Sequence, residues 1–437
     1  MAYRNFDDIA LDRRALLRSG ALFGGGALLA GTPLSGLLAQ GTTAWPNVTA
    51  LVNKFVDARQ VANIVAVLGW GPQPQPQVIA KGVTTIGEAN PAGLDTLYRI
   101  YSMTKPVTGM AAMILIDEGK LGLDQPIAEV LPTFSNMMVQ KTYDGSITDL
   151  VPAERPITVR HLLTHTAGIG YGIIQKGPIV KYYEDNGIIA GQVSRIPLPG
   201  MGRGTPVRGL DKFADALAKA PLVYQPGTKW AYSMSLDLLG RVIEVAAGMP
   251  FDQFLHGRIF APTGMNSTWF RVPDSELGRL TTNYGILNGI PIPMDPARSS
   301  IYSDQPAFPF GGAGLVSSPR DYDRFLRMLL GYGAIDGKRV MSEKAVRLGT
   351  SDLLPAGVTD SGFGTGGGFG AGGRVAEGSF GWGGAAGTAG FVNFTAGLRA
   401  GMFTQYMPSE ALPIQSGFPE AVKKDLAAMA PAKKVAA

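Results

Sequence analysis

Hydrophobic positions change period several times along the chain. Val48, Leu51, Val52, Phe55 and Val56 recur at three- and four-residue intervals, which predicts a helix over 46–60. A continuous apolar, β-branched run over 61–70 reads as a buried strand, and Gly71-Pro72-Gln73-Pro74 ends it. Residues 78–83 supply the returning arm of a hairpin. From Pro106 the period is helical again, through Val107, Met110, Met113 and Ile114, and the helix is expected to reach about Leu131, ahead of Pro132. Further helices are predicted over 158–165, 210–220, 235–247, 250–259, 320–330 and 342–348. Between the first two lies a glycine- and proline-rich stretch, 168–209, whose length points to a lid or a binding loop. Glycine dominates from Gly357 to Gly390. Residues 390–395 and 398–406 then pattern as paired antiparallel strands, and 419–429 as a closing helix.

Strands at both ends and helices between them predict an α+β fold. The two strand-rich ends meet in one antiparallel sheet flanked by N- and C-terminal helices, with a mainly helical domain inserted. The expected division is 45–100 with 310–430 for the sheet part, and 101–309 for the helical part with its long loops. A site between the two parts is the default expectation. Residues 1–39 are set apart. Arg13-Arg14 precedes a weakly apolar run over 20–38, the pattern of a twin-arginine export signal. Gly24, Gly25, Gly26, Thr32, Pro33 and Ser35 interrupt that run too often for a stable membrane span. The expected location is therefore periplasmic or secreted.

Composition narrows the chemistry. Hydrophobic residues make up 45% of the chain and charged residues 17%, which excludes a disordered chain. The net charge of +5 comes without basic runs interleaved with aromatics, so no nucleic-acid partner is expected. The absence of cysteine removes disulfides, thiol nucleophiles and thiolate metal sites. His161 and His165 have a metal-compatible spacing, but His256 is the one other histidine, so no metal site is expected. No Gly-x-Ser-x-Gly elbow occurs. The glycine run at 364–368 lacks a phosphate-binding pattern, and no cofactor is expected. Oligomeric state leaves no mark in the sequence.

One short motif carries reactive chemistry: Ser102-Met103-Thr104-Lys105, a Ser-x-x-Lys spacing found once in the chain. Positions i and i+3 share a helix face, so Ser102 Oγ and Lys105 Nζ can meet at the start of the helix. A serine hydroxyl needs a neighbouring base to become a nucleophile. A lysine can serve if burial or nearby cations lower its pKa from ~10.4 towards neutrality.

Further segments follow in order: His161-Leu162-Leu163-Thr164-His165-Thr166-Ala167-Gly168, Tyr232-Ser233, Gly311-Gly312-Ala313-Gly314-Leu315-Val316-Ser317-Ser318, Asp321-Tyr322, and Trp382-Gly383-Gly384-Ala385-Ala386-Gly387-Thr388. With Arg99 to Lys105, this set resembles the serine β-lactamase-related hydrolases of the class C type, and most closely the family VIII carboxylesterases. The resemblance implies a β-lactamase/penicillin-binding-protein-like fold and an acyl-enzyme on Ser102, with Lys105 and Tyr232 sharing the work of the base. It implies an oxyanion hole from the N–H groups of Ser102 and Ala385. It also implies substrate contacts from Tyr101, Trp382, Gly383 and Gly384. Two departures bear on the substrate. Trp382 stands where β-lactamases and penicillin-binding proteins place Lys or His, and Met234 stands where the tyrosine motif ends in Asn. Both remove polar recognition of a charged amide. The expected reaction is hydrolysis of neutral, small to medium acyl esters. A β-lactamase or D-alanyl-D-alanine peptidase, an amidase on short linear amides, and a non-catalytic ligand-binding member are the alternatives. Tyr171, Phe308 and Phe310 are read either as an acyl pocket or as packing.

Overall fold

The computed structural model describes residues 45–195, 204–358 and 367–429; the predicted export segment lies outside them. The first helix, α1, is Pro46–Asp57, with Pro46 in the first turn, where a missing N–H breaks no bond. The hairpin forms as predicted, from β1 (Asn63–Trp70) and β2 (Gln77–Gly82). Five strands near the other end complete the sheet: β3 (Gly368–Phe369), β4 (Arg374–Ala376), β5 (Ser379–Gly383), β6 (Ala389–Asn393) and β7 (Leu398–Phe403). The order is β3-β4-β5-β6-β7-β1-β2, antiparallel throughout. The two ends of the chain join at the β1–β7 seam, where Val65 lies opposite Phe403 and Trp70 opposite Leu398.

Both faces of the sheet are covered, which explains why β1 reads as a continuous apolar run and not as an alternation. On one face Ile64, Ala66 and Leu68 pack with Trp45, Phe55 and Phe418. On the other, Val65, Val67 and Phe403 join the core of the helical part. Burying each such side chain is worth roughly 1.5–3 kcal/mol. The helices nearest the reactive motif are α2 (Thr104–Asp117), α3 (Val159–Leu163), α4 (Ser235–Ala247) and α5 (Pro319–Leu330); α6 (Ile414–Met429) closes the chain. Asp425 of α6 is buried, and accepts hydrogen bonds from the Asn47 N–H at 2.9 Å and the Val48 N–H at 3.0 Å. The first turn of α1 is thus capped by the far end of the chain. A second long-range tie is the buried pair of Arg399 on β7 and Asp323 on α5, at 2.7 Å.

Three expectations need correction. α2 ends at Asp117 and not near Leu131, because Gly119 takes a left-handed φ of 70° and the chain continues in short 3₁₀ turns. α6 begins at Ile414, five residues before Pro419, and the burial of Ile414 and Phe418 holds that extra turn in place. A hairpin of Asn283–Leu287 with Ile290–Asp295 occupies a stretch with no predicted strand. Its proline-rich second arm, Ile290-Pro291-Ile292-Pro293, hides the strand period. Among the described residues no helix is long and apolar enough to cross a membrane, and no group of three or more His, Asp or Glu is placed to hold a metal ion.

The environment of His161 is expected to make the fold acid-sensitive. Its Nδ1 accepts the Thr158 N–H at 3.2 Å and its own N–H donates to Thr158 Oγ1 at 3.3 Å, a reciprocal cap on α3. Burial, and then the nearby Arg155, hold its pKa down at about 4. The unfolded chain, with histidine near 6.5, then binds more protons between those values, so stability falls as pH drops through that window. Fully developed, the effect is up to about 3 kcal/mol. Thermal melts from pH 7 to pH 4.5 should show a smaller decline for His161→Gln, which keeps an acceptor without titrating; equal declines would assign the acid sensitivity to other groups.

Candidate active site

The turn that carries Ser102 is held from several directions. Arg99 is fully buried and pairs with Asp295, also buried, at 2.5 Å. Its guanidinium also donates to Thr281 O at 2.6 Å and Ser300 Oγ at 2.9 Å. A buried charge left without such partners would cost several kcal/mol. The Ile100 N–H donates to Leu315 O at 3.0 Å, and the Leu315 N–H returns to Thr104 Oγ1 at 3.1 Å. Tyr322 Oη donates to Met103 O at 3.1 Å. Tyr101 takes a φ of 41°, a left-handed value that a tyrosine holds only when its surroundings impose it. The residue before the reactive serine is thus strained into a sharp 3₁₀ turn, Tyr101–Met103, that runs straight into α2.

Ser102, Lys105 and Tyr232 converge. Tyr232 Oη donates to Ser102 Oγ at 2.7 Å, and Lys105 Nζ donates to the same oxygen at 3.2 Å. Lys105 Nζ also donates to Gly312 O at 2.7 Å and lies 4.5 Å from the centre of the Tyr232 ring. Lys105 has no exposed surface, and Ser102 and Tyr232 retain 6% each. Burial pushes the Lys105 ammonium well below the ordinary lysine range, while the carboxylate of Asp237 pulls it back up. A lysine in that position can take up a proton near neutral pH.

The aromatic segment around Tyr232 fixes its phenol. His165 lies 4.8 Å from the Tyr232 ring, Tyr171 5.7 Å and Trp382 5.9 Å, and Phe369 stands edge-on to Trp382 at 5.2 Å. His165 Nδ1 is 2.8 Å from Ser233 Oγ. Burial and the neighbouring Lys105 hold its pKa well below the usual histidine range, so the ring stays neutral.

Beyond the turn, β5 brings the third motif alongside. Gly383 and Gly384 are buried, and a Cβ on Gly384 would stand 2.4 Å from Ile100 O. Glycine is what lets this strand end lie directly against the Ser102 turn. Ala385 follows in the bend between β5 and β6 and is half-buried. Among the described residues, neither the Ser102 nor the Ala385 N–H donates to a protein acceptor, and two such amides beside a nucleophile can receive a developing oxyanion.

Two predicted substrate contacts are placed otherwise. The Trp382 ring is fully buried behind Tyr232, so it braces the phenol and presents no face to a ligand. Tyr101 turns into a separate core with Leu97, Val272 and Tyr302, and its hydroxyl accepts from Asn283 Nδ2 at 3.2 Å. Phe308 and Phe310 are buried and pack on each other at 4.2 Å. Sequence reasoning missed Gly312 and Asp237. The first acts through a main-chain carbonyl, which leaves no residue-type signature. The second had a signal: an acid on the apolar side of the helical stretch 235–247, between Leu236 and Leu238.

Comparison with known proteins agrees with this geometry. Residues 55–415 match the family model described as Beta-lactamase. The chain belongs to the Beta-lactamase family. Protein Rv1367c of Mycobacterium tuberculosis is 36% identical over 309 residues, 70% of this chain and 71% of that protein. Esterase EstB of Burkholderia gladioli is 32% identical over 263 residues, 57% of this chain and 61% of EstB. The solved structure of EstCE1, described as a hydrolase with promiscuous acyltransferase activity, superposes with a TM-score of 0.70 at 24% identity, over 88% of this chain and 98% of that one. Within the family, the chain is a serine hydrolase of the β-lactamase fold with the α+β architecture expected from its sequence.

The close approach of Gly384 can be tested. In Gly384→Ala the added carbon would stand 2.2 Å from Thr388 Oγ1 and 2.4 Å from Ile100 O, so the strand end must back away. Misplacing a reacting group by about 1 Å costs about 10²-fold. Labelling of Ser102 by a fluorophosphonate should slow by about that factor with the far-UV circular dichroism unchanged. A rate within about twofold of the parent would remove this strand from the site.

Proposed function

We propose that the protein is a carboxylesterase that hydrolyses neutral, small to medium acyl esters through an acyl-enzyme on Ser102. The observation that carries this reading is the pair of hydrogen bonds that Tyr232 and buried Lys105 both direct to Ser102 Oγ, at 2.7 and 3.2 Å. Ser102 Oγ bonds to the ester carbonyl carbon, and its proton passes to the Lys105–Tyr232 pair. The carbonyl oxygen becomes an oxyanion facing the Ser102 and Ala385 amides. When the tetrahedral centre collapses, the C–O bond to the alcohol breaks and the pair returns the proton to the leaving oxygen. Water then repeats the sequence and releases the acid. No cofactor enters these steps.

The preference for a neutral ester rests on what surrounds the serine. The position that would hold a carboxylate-binding cation is Trp382, and Met234 is buried where an amide would meet a peptide-like substrate. The name of Esterase EstB supports the same reading. The description of EstCE1 favours a second outcome for the same acyl-enzyme, in which an alcohol replaces water and takes the acyl group. Export to the periplasm or beyond, proposed from Arg13-Arg14, would place this chemistry outside the cytoplasm.

The test is a series of p-nitrophenyl esters, with nitrocefin alongside and matched anilides as amide controls. Ester turnover should fall to background in Ser102→Ala. It should fall by about 10²–10⁴ in Tyr232→Phe, which keeps the ring and loses the hydroxyl. Nitrocefin turnover above ester turnover would reverse the substrate assignment, and undiminished ester turnover in Ser102→Ala would overturn the nucleophile.

A further inference from the structure

Asp237 is an acid where the fold has little reason to keep one. It lies in the first turn of α4, five residues after Tyr232, and is 1% exposed. Its Oδ1 accepts the Gly312 N–H at 2.9 Å, and the carbonyl of the same Gly312 accepts Lys105 Nζ at 2.7 Å. The carboxylate and the amine therefore do not touch; the main chain of Gly312 lies between them, tied to each. Only glycine permits this, because a Cβ at 312 would stand 2.5 Å from Asp237 Oδ2. The stretch 232–237 thus reaches the reactive centre twice, through Tyr232 to Ser102 and through Asp237 to Lys105.

We propose that Asp237 is a positioning residue for Lys105: through the Gly312 main chain it fixes where Nζ sits, and its charge holds the proton on a buried amine. Among the described residues, the groups facing Lys105 are few. Ser102 approaches from the turn, Tyr232 from the segment before α4, Gly312 from the loop before α5, and neutral His165 from the loop after α3. Asp237 is the anion among the groups that act on Lys105, and it acts against the effect of burial. Lys105 in turn favours the ionised form of Asp237, which burial opposes. The helix start adds a small favourable field for the carboxylate. Without Asp237 the lysine would be a lone buried amine, neutral over most of the working range and free to leave the Gly312 carbonyl.

This inference rests on the reading of Lys105 as half of the base pair, so its first readout is not activity. Protein carrying ¹³Cε-lysine is titrated by NMR, with the Lys105 signal assigned by Lys105→Met. In Asp237→Asn, which can still accept the Gly312 N–H but carries no charge, the Lys105 midpoint should fall by about 1 pH unit or more. Asp237→Ser, smaller and also neutral, carries the same test if the asparagine variant does not fold. The limb of the pH profile of kcat/KM that Lys105 governs should move to lower pH by the same amount. A purely structural role for Asp237 would lower yield or melting temperature and leave the midpoint in place, and an unmoved midpoint overturns the proposal. A shifted midpoint in a protein that turns over no ester would retain Asp237 and discard the ester reading. Ester turnover with an unmoved midpoint would do the reverse.

Discussion

An amine sealed from water is the constraint on which the rest of this structure depends. Placing Lys105 at no exposed surface costs several kcal/mol unless each of its surroundings compensates. The compensation comes from elements remote in sequence: a carbonyl at 312, a carboxylate at 237, an aromatic face at 232 and a hydroxyl at 102. Each must arrive at a fixed place. The strained turn at Tyr101, the buried Arg99–Asp295 pair and the reciprocal bonds between residues 100, 104 and 315 supply that placement on the turn's side.

The same requirement explains why two residues predicted to meet substrate are packed away. Tyr101 precedes Ser102 and Trp382 precedes the Gly383-Gly384-Ala385 strand end, but their rings serve as the walls against which the Ser102 turn and Tyr232 are pressed. A site whose catalytic distances depend on rigid aromatic backing gives up some of its own motif to that backing. The polar groups left beside the serine are then main-chain amides and the Lys105–Tyr232 pair.

Much of the scaffold was legible in the sequence because periodicity reports burial. The hairpin at 63–82, α4 and the β6–β7 pair appear where the apolar pattern places them. The misses have physical causes. The helix after Lys105 was read too long because apolar residues recur beyond Gly119, at Leu121, Leu123, Ile127 and Val130, although Gly119 is a left-handed stop. The hairpin at 283–295 was hidden by its prolines. In the site, Ser102, Lys105 and Tyr232 were legible because their chemistry depends on residue type. The carbonyl of Gly312 was not, since every residue has one. Trp382 and Tyr101 were misplaced because a one-dimensional motif does not say which way a ring turns.

The β1–β7 seam has a consequence for how this chain comes into being. Val65 pairs with Phe403, and Asp425 caps a helix that begins at Pro46. A ribosome releases the first of these partners long before it has made the second. For most of its synthesis the N-terminal hairpin therefore holds an open edge and an uncovered apolar face, and closing the sheet is among the last events of folding. A nascent chain of this design depends on being shielded until residues 368–403 emerge.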